Sequence, residues 1–174
     1  MIKIKHHSAP VKKGFMSGLL YQRFSDHVIT TGEAIRKQLI TEHSFSTEHI
    51  VSIPTGIDLN RFSPSRCDSE IVRNELGYSK GPLIAMIGVL ATWKGHEDFI
   101  AAAAEILKTI PEARFYIVGT GSSADVRRVR TAVTQYKLQN EVFILGYRED
   151  IPQILSAVDL LVHCSYANEG VPQV

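Results

Sequence analysis

Apolar runs of strand length alternate with stretches of helical periodicity and glycine-bearing loops, which predicts an α/β fold: a parallel sheet with helices on both faces. Three observations carry the prediction. The runs Leu83-Ile84-Ala85-Met86 and Val142-Phe143-Ile144-Leu145 are apolar at every position, as strands covered on both faces must be. Phe99, Ala102, Ala103, Ile106, Leu107 and Ile110 fall on one helical stripe, whose alanines permit close approach to a sheet. Loops at Gly88, Gly119 and Gly146 each follow a strand end, where ligands of such sheets bind.

Composition narrows the class. The chain has 174 residues, enough for one ordinary domain and short for a two-domain enzyme. A charged fraction of 21% and a hydrophobic fraction of 44% describe a soluble globular protein, and a net charge of +1 gives no case for nucleic-acid binding. No apolar run approaches the roughly 18 residues that span a bilayer, and the N-terminus lacks the apolar core of a signal peptide. Cys67 and Cys164 suggest no disulfide framework, so reduced thiols and a cytoplasmic location are expected.

In chain order, Lys3, Lys5, Lys12, Lys13 and Arg23 all precede the first acid, Asp26. Residues 1–25 are therefore read as a basic, partly ordered segment from the end of a preceding domain, and 26–174 as the main domain. Pro10 and Gly14 argue against one continuous helix there. His27-Val28-Ile29-Thr30 predicts a strand, and Thr30 with Glu33 a capping box that opens a helix over about Glu33 to Glu42. His49 to Ile53 predicts a strand stopped by Pro54. The turn-rich loop from Pro54 to Pro64 should be anchored by Ile57, Leu59 and Phe62. A short helix from Ser69 to Leu76 ends at Gly77.

The stretch from Ile87 to His96 reads as strand, glycine loop and helix start. Free backbone N–H groups and the helix dipole stabilise an anion there, and Lys94 adds a full charge. Alternatively Gly88 and Gly95 merely allow a tight turn and Lys94 is solvated. Glu97 and Asp98 favour the helix dipole but compete with a phosphate for Lys94. The strand Ala113 to Val118 leads into Gly119-Thr120-Gly121-Ser122-Ser123-Ala124, a G-x-G-x-x-A dinucleotide fingerprint, and a polar helix to about Tyr136. It follows an internal strand, and the next strand ends in Gly146 where an acidic ribose ligand is wanted, so both features oppose a nicotinamide site. A helix over Pro152 to Ala157 and a strand over Asp159 to His163 complete the pattern. Asp68-Ser69-Glu70 follows a polar loop and reads as surface acids. The seven histidines show no metal-ligand spacing, and no serine sits in a nucleophile elbow.

The ordered set of the Asp58-to-Phe62 loop, Gly88 with Lys94-Gly95, Gly119-Thr120-Gly121, Gly146-Tyr147-Arg148-Glu149-Asp150-Ile151-Pro152 and Glu169-Gly170-Val171-Pro172 resembles the retaining GT-B glycosyltransferases of group 1 (family 4). The similarity runs from about His6 to the last residue. It implies a partial GT-B C-terminal domain, a Rossmann-like sheet that holds a nucleoside-diphosphate sugar, joined to the end of the acceptor domain.

By resemblance, Lys94 binds the donor diphosphate in place of a metal ion. Gly88 opens its loop to the phosphate, while Gly119 and Gly121 lie beside the donor pocket. Tyr147 and Arg148 belong to the base-contacting loop, largely through backbone. Glu169 is the catalytic candidate near the donor sugar, with Gly170 and Val171 offering N–H groups. The implied reaction is retaining sugar transfer through an oxocarbenium-like transition state, with no cofactor and no metal. Two departures matter: Val89 stands where the family usually carries arginine, and a second glutamate of the signature would lie beyond Val174. A chain truncated at its C-terminus, incompetent alone, is therefore expected.

The implied partners are a nucleotide-sugar donor and a glycan or lipid-linked acceptor, with no nucleic acid. The basic segment points to peripheral contact with the cytoplasmic membrane and the resemblance to cell-envelope polysaccharide biosynthesis. Uncovered sheet surface predicts self-association. An NAD-type oxidoreductase domain and a non-catalytic nucleotide-binding module are the alternatives.

Overall fold

The computed structural model describes residues 2–5, 23–43, 45–77 and 80–166. Contacts divide the chain into two units, one running to Ile57 and the other beginning at Asp58, whereas the sequence reading places its boundary at residue 25.

The first unit carries a parallel sheet in the order β1 (Ile2–Lys5), β2 (His27–Thr30), β3 (Ile50–Ser52). β1 is an addition: the segment read as a basic arm begins with an alternating Ile-Lys-Ile-Lys strand. Helix α1 (Glu33–His43) lays Ile35 and Leu39, one turn apart, onto the sheet, and Leu39 meets Val28, Ile50 and Phe45. Its start differs from the expected capping box. The Thr30 hydroxyl donates to the Gly32 carbonyl, and the Glu33 carboxylate pairs with Arg36 at 3.0 Å. β3 is shorter than expected because Thr47–His49 forms a 3-10 turn capped by Ser46. Ile53 still bonds to the Thr30 carbonyl.

The second unit is built on four parallel strands in the order β6-β5-β4-β7: β4 (Leu83–Ile87), β5 (Arg114–Val118), β6 (Val142–Gly146) and β7 (Leu160–Leu161). Alternate side chains serve opposite layers. Ile84, Met86, Phe115, Ile117 and Val142 pack with helices α3 (His96–Ile106) and α4 (Ser123–Gln135). Ile87 and Val118 pack on the other face with α2 (Ser69–Glu75) and α5 (Ile151–Ala157). All five β4 residues are buried, as a two-sided sheet requires.

The helix ends follow local chemistry. Asp68 caps α2 by accepting from the Glu70 N–H, and Gly77 turns the chain at φ 71°. Ser122 and Asp125 form a full capping box on α4. The α3 stripe is rotated from the expected one. Phe99 and Ala103 are buried, Ala102 and Ile110 are exposed, and Ile100 is the fully buried residue that the stripe omits. The loop before α2 also departs from expectation: Ile57 and Leu59 are exposed, and only Phe62 is anchored, beside Pro152 and Leu155. Asp58 organises that loop instead, accepting from the N–H groups of Asn60 and Arg61.

Candidate functional site

The strand order reverses at β4, which pairs with β5 on one side and β7 on the other. The loops at the carboxyl ends of these strands therefore stand at the point where the strand order reverses, the place where ligands of open α/β sheets bind.

Backbone hydrogen bonds lace this edge together. The Gly88 N–H donates to Val118 at 2.9 Å, Leu90 to Thr120 at 3.0 Å, and Gly119 to Gly146 at 2.8 Å. Gly88 and Gly119 adopt φ 156° and 142°, and a Cβ on Gly119 would stand 1.9 Å from the Gly88 carbonyl oxygen. Glycine at 119 is thus a condition for the two loops to meet. Gly121 is packed instead: its Cβ position lies 3.0 Å from Asp125 Cβ and 3.2 Å from Leu90 Cβ.

Lys94 ends a 3-10 turn (Thr92–Lys94) and is followed by Gly95 at φ 75°, ψ 34°, which caps α3. A Cβ on Gly95 would sit 2.5 Å from the Cys164 carbonyl oxygen, so this residue is the close contact between the Lys94 turn and the segment after β7. Tyr166 closes the same contact, donating its N–H to Trp93 at 3.2 Å and its hydroxyl to the Thr92 carbonyl at 2.8 Å. The Lys94 side chain folds back so that Nζ lies 3.8 Å from the Cβ position of Gly88 and 4.7 Å from the Trp93 ring centroid. An ammonium, an open glycine backbone and the N-terminus of α3 are thereby brought together, a combination suited to a phosphate group. Val89 is 46% exposed in the same loop and brings no charge.

Tyr147 is exposed on the loop after β6. Arg148 is engaged within the protein: its guanidinium spans Asp150, at 2.6 and 2.8 Å, and Glu75, at 2.5 and 3.1 Å. Hydrogen bonds donated to Asp150 first and to Glu75 second raise the Arg148 pKa, and Arg148 holds the Asp150 carboxyl below its usual range. Its side chain braces the loop against α2. Glu169, Gly170 and Val171 lie outside the described residues.

Behind the Lys94 turn is a group that sequence reasoning missed. His96 is fully buried, with neither ring nitrogen in hydrogen-bonding geometry with a described residue. Burial, followed by the charge of Arg128, pushes its pKa down from 6.5 to about 4. Arg128 of α4 pairs with Glu97 of α3, donates to the Leu90 carbonyl at 2.6 Å and reaches Asp125 at 3.6 Å. Burial, the largest single influence, raises the Glu97 pKa, but the Arg128 hydrogen bond, a backbone hydrogen bond and the charges of Arg128 and His96 together outweigh it, and the carboxyl lies below its usual range. No local motif marks Arg128, because its partners Glu97 and Leu90 are 31 and 38 residues away.

Among the described residues, no group of three or more His, Cys, Asp or Glu is placed to hold a metal ion. No described helix is long and apolar enough to cross a membrane.

A model of the family described as glycosyl transferases group 1 matches residues 68–174. Mannosylfructose-phosphate synthase of Agrobacterium fabrum is 31% identical over 87% of this chain and 35% of its own length. A UDP-Gal:alpha-D-GlcNAc-diphosphoundecaprenol alpha-1,3-galactosyltransferase of Escherichia coli is 33% identical over 69% of this chain and 31% of its own. The crystal structure of Anabaena HepE in complex with UDP superposes with a TM-score of 0.85 at 27% identity, over 99% of this chain and 48% of that one. HepE in complex with UDP-glucose gives 0.79 at 30% identity, over 91% and 43%. The chain thus spans about a third of the length of these curated relatives.

Proposed function

Because the chain belongs to the group 1 glycosyltransferases and forms part of a GT-B fold, we propose that its Lys94 crevice binds the diphosphate of a nucleotide-sugar donor. The proposed reaction is metal-independent transfer of the sugar, with retention of configuration, to a glycan or lipid-linked acceptor. The observation that carries this reading is the Lys94 ammonium folded over Gly88 at the point where the strand order reverses. Complexes of HepE with UDP and with UDP-glucose support it by similarity.

Chemically, breaking the glycosidic bond leaves negative charge on the distal phosphate and positive charge on the sugar ring. Lys94 and the α3 N-terminus stabilise the departing diphosphate, the role otherwise filled by a divalent cation. Gly88 and Gly119 let phosphate oxygens approach backbone where any side chain would intervene. Glu169 is assigned by resemblance to the donor sugar. Work at the cytoplasmic face of a membrane, in cell-envelope polysaccharide assembly, follows from the same proposal.

A thermal-shift panel with UDP, GDP, ADP and NAD tests the reading. A rise in melting temperature with one of the nucleoside diphosphates, lost in Lys94→Ala, is expected. Stabilisation by NAD alone, or a nucleotide response indifferent to Lys94→Ala, would overturn it.

A further inference from the structure

The anion site has a built-in adversary. Glu97 stands three residues after Lys94, in the first turn of the same helix whose N-terminus faces the crevice. A free carboxylate there opposes a diphosphate and draws on the charge of Lys94.

The structure answers it from α4. Arg128 takes the Glu97 carboxylate with one nitrogen and the Leu90 carbonyl with another at 2.6 Å. Leu90 is fully buried in the loop between Gly88 and Lys94, and its N–H is already committed to Thr120. One guanidinium therefore joins the loop, the start of α3 and the body of α4. Its placement is itself determined: Asp125, 3.6 Å away, is held by the capping box with Ser122. The Arg128 side chain is 26% exposed, so solvent screens the pair only partly.

We propose that Arg128 is a positioning residue for donor binding: it fixes the Gly88-to-Lys94 loop through Leu90 and neutralises Glu97, so that the charge of Lys94 is spent on the donor. This rests on the reading of Lys94 as the diphosphate ligand. It also gives Val89 a context. The loop lacks a second cation of its own, and Arg128 removes a nearby anion from behind it.

The experiment is isothermal titration of the 174-residue chain with UDP, or with GDP or ADP if the thermal panel favours one of them. Arg128→Met is expected to weaken binding about tenfold, and Arg128→Met with Glu97→Gln to recover to within about threefold of wild type, since the opposing charge is gone. Urea midpoints of the same variants separate the roles: a merely structural arginine would lose and regain affinity only in step with stability. If Arg128→Met does not fold, Arg128→Lys takes its place: the ammonium keeps the charge opposite Glu97 and gives up the fork to Leu90, so affinity should fall by no more than about threefold. Wild-type affinity in Arg128→Met, absence of recovery in the double variant, or a tenfold loss in well-folded Arg128→Lys overturns the inference and leaves Lys94 standing. Undiminished binding by Lys94→Ala overturns the reading of the site and the inference with it.

Discussion

Gly119 is the residue on which the crevice depends most. Replacing it with alanine puts a Cβ 1.9 Å from the Gly88 oxygen at a φ of 142°. Gly119→Ala should cost about 2–4 kcal/mol, read as a lowered midpoint in urea; an unchanged midpoint would refute the close approach. His96 gives a pH prediction. Its folded pKa is about 4 against an ordinary 6.5, so the unfolded chain binds its proton first as pH falls. The stabilisation is complete above pH 6.5, is lost on the way down to about pH 4 and then levels off, for a total of about 3 kcal/mol. His96→Phe or His96→Leu should flatten the stability curve across that window. A wild-type slope in those variants would show that His96 is not its source.

At the level of elements, arginines tie helices to strand ends. Arg73 of α2 donates to the Ala157 carbonyl at 2.6 Å and to Asp159 at 2.9 Å, while Asp159 also accepts from the Leu83 N–H at 2.7 Å. The hydrogen bond from Arg73, the main cause, holds the Asp159 carboxyl below its usual range. Asp159→Ala strands both donors and should cost about 1–2 kcal/mol, a modest figure because both side chains are partly exposed. Chemical denaturation measures it, and equal stability of the variant would contradict the tie. Such ties were not legible in the chain, because their members lie 76 to 86 residues apart. The strands β4 and β6 were legible because two-sided burial makes every position apolar. β1 was not: its alternating lysines resemble a solvated arm. The Lys94 turn was readable because its glycines flank the charge locally. Arg128, on another helix, carried no such signal. Ala102 lies on the apolar stripe of the sequence yet is exposed, because alanine fits either side of a helix and only the neighbouring layer selects Ile100.

At the level of the whole molecule, each unit has a sheet and core of its own. Donor contacts proposed for the second unit should therefore protect its amides selectively. Hydrogen exchange with and without UDP is expected to slow in the loops at Gly88, Gly119 and Gly146, with β1, β2 and β3 unchanged; uniform protection would contradict this placement. In the first unit, the β-sheet register sets Ile4, Ile29 and Val51 side by side, and Ile2, Ile4, Val51 and Ile53 are exposed. That apolar strip predicts association that grows with concentration in sedimentation velocity, and a monomer throughout would refute it. One feature of the second unit makes the crevice observable without any label. The chain has a single tryptophan, Trp93, and the Lys94 ammonium rests 4.7 Å from its ring centroid. The tryptophan fluorescence of the protein, excited selectively over its six tyrosines, is then the fluorescence of this one turn, and a ligand that draws Lys94 away changes its colour and yield.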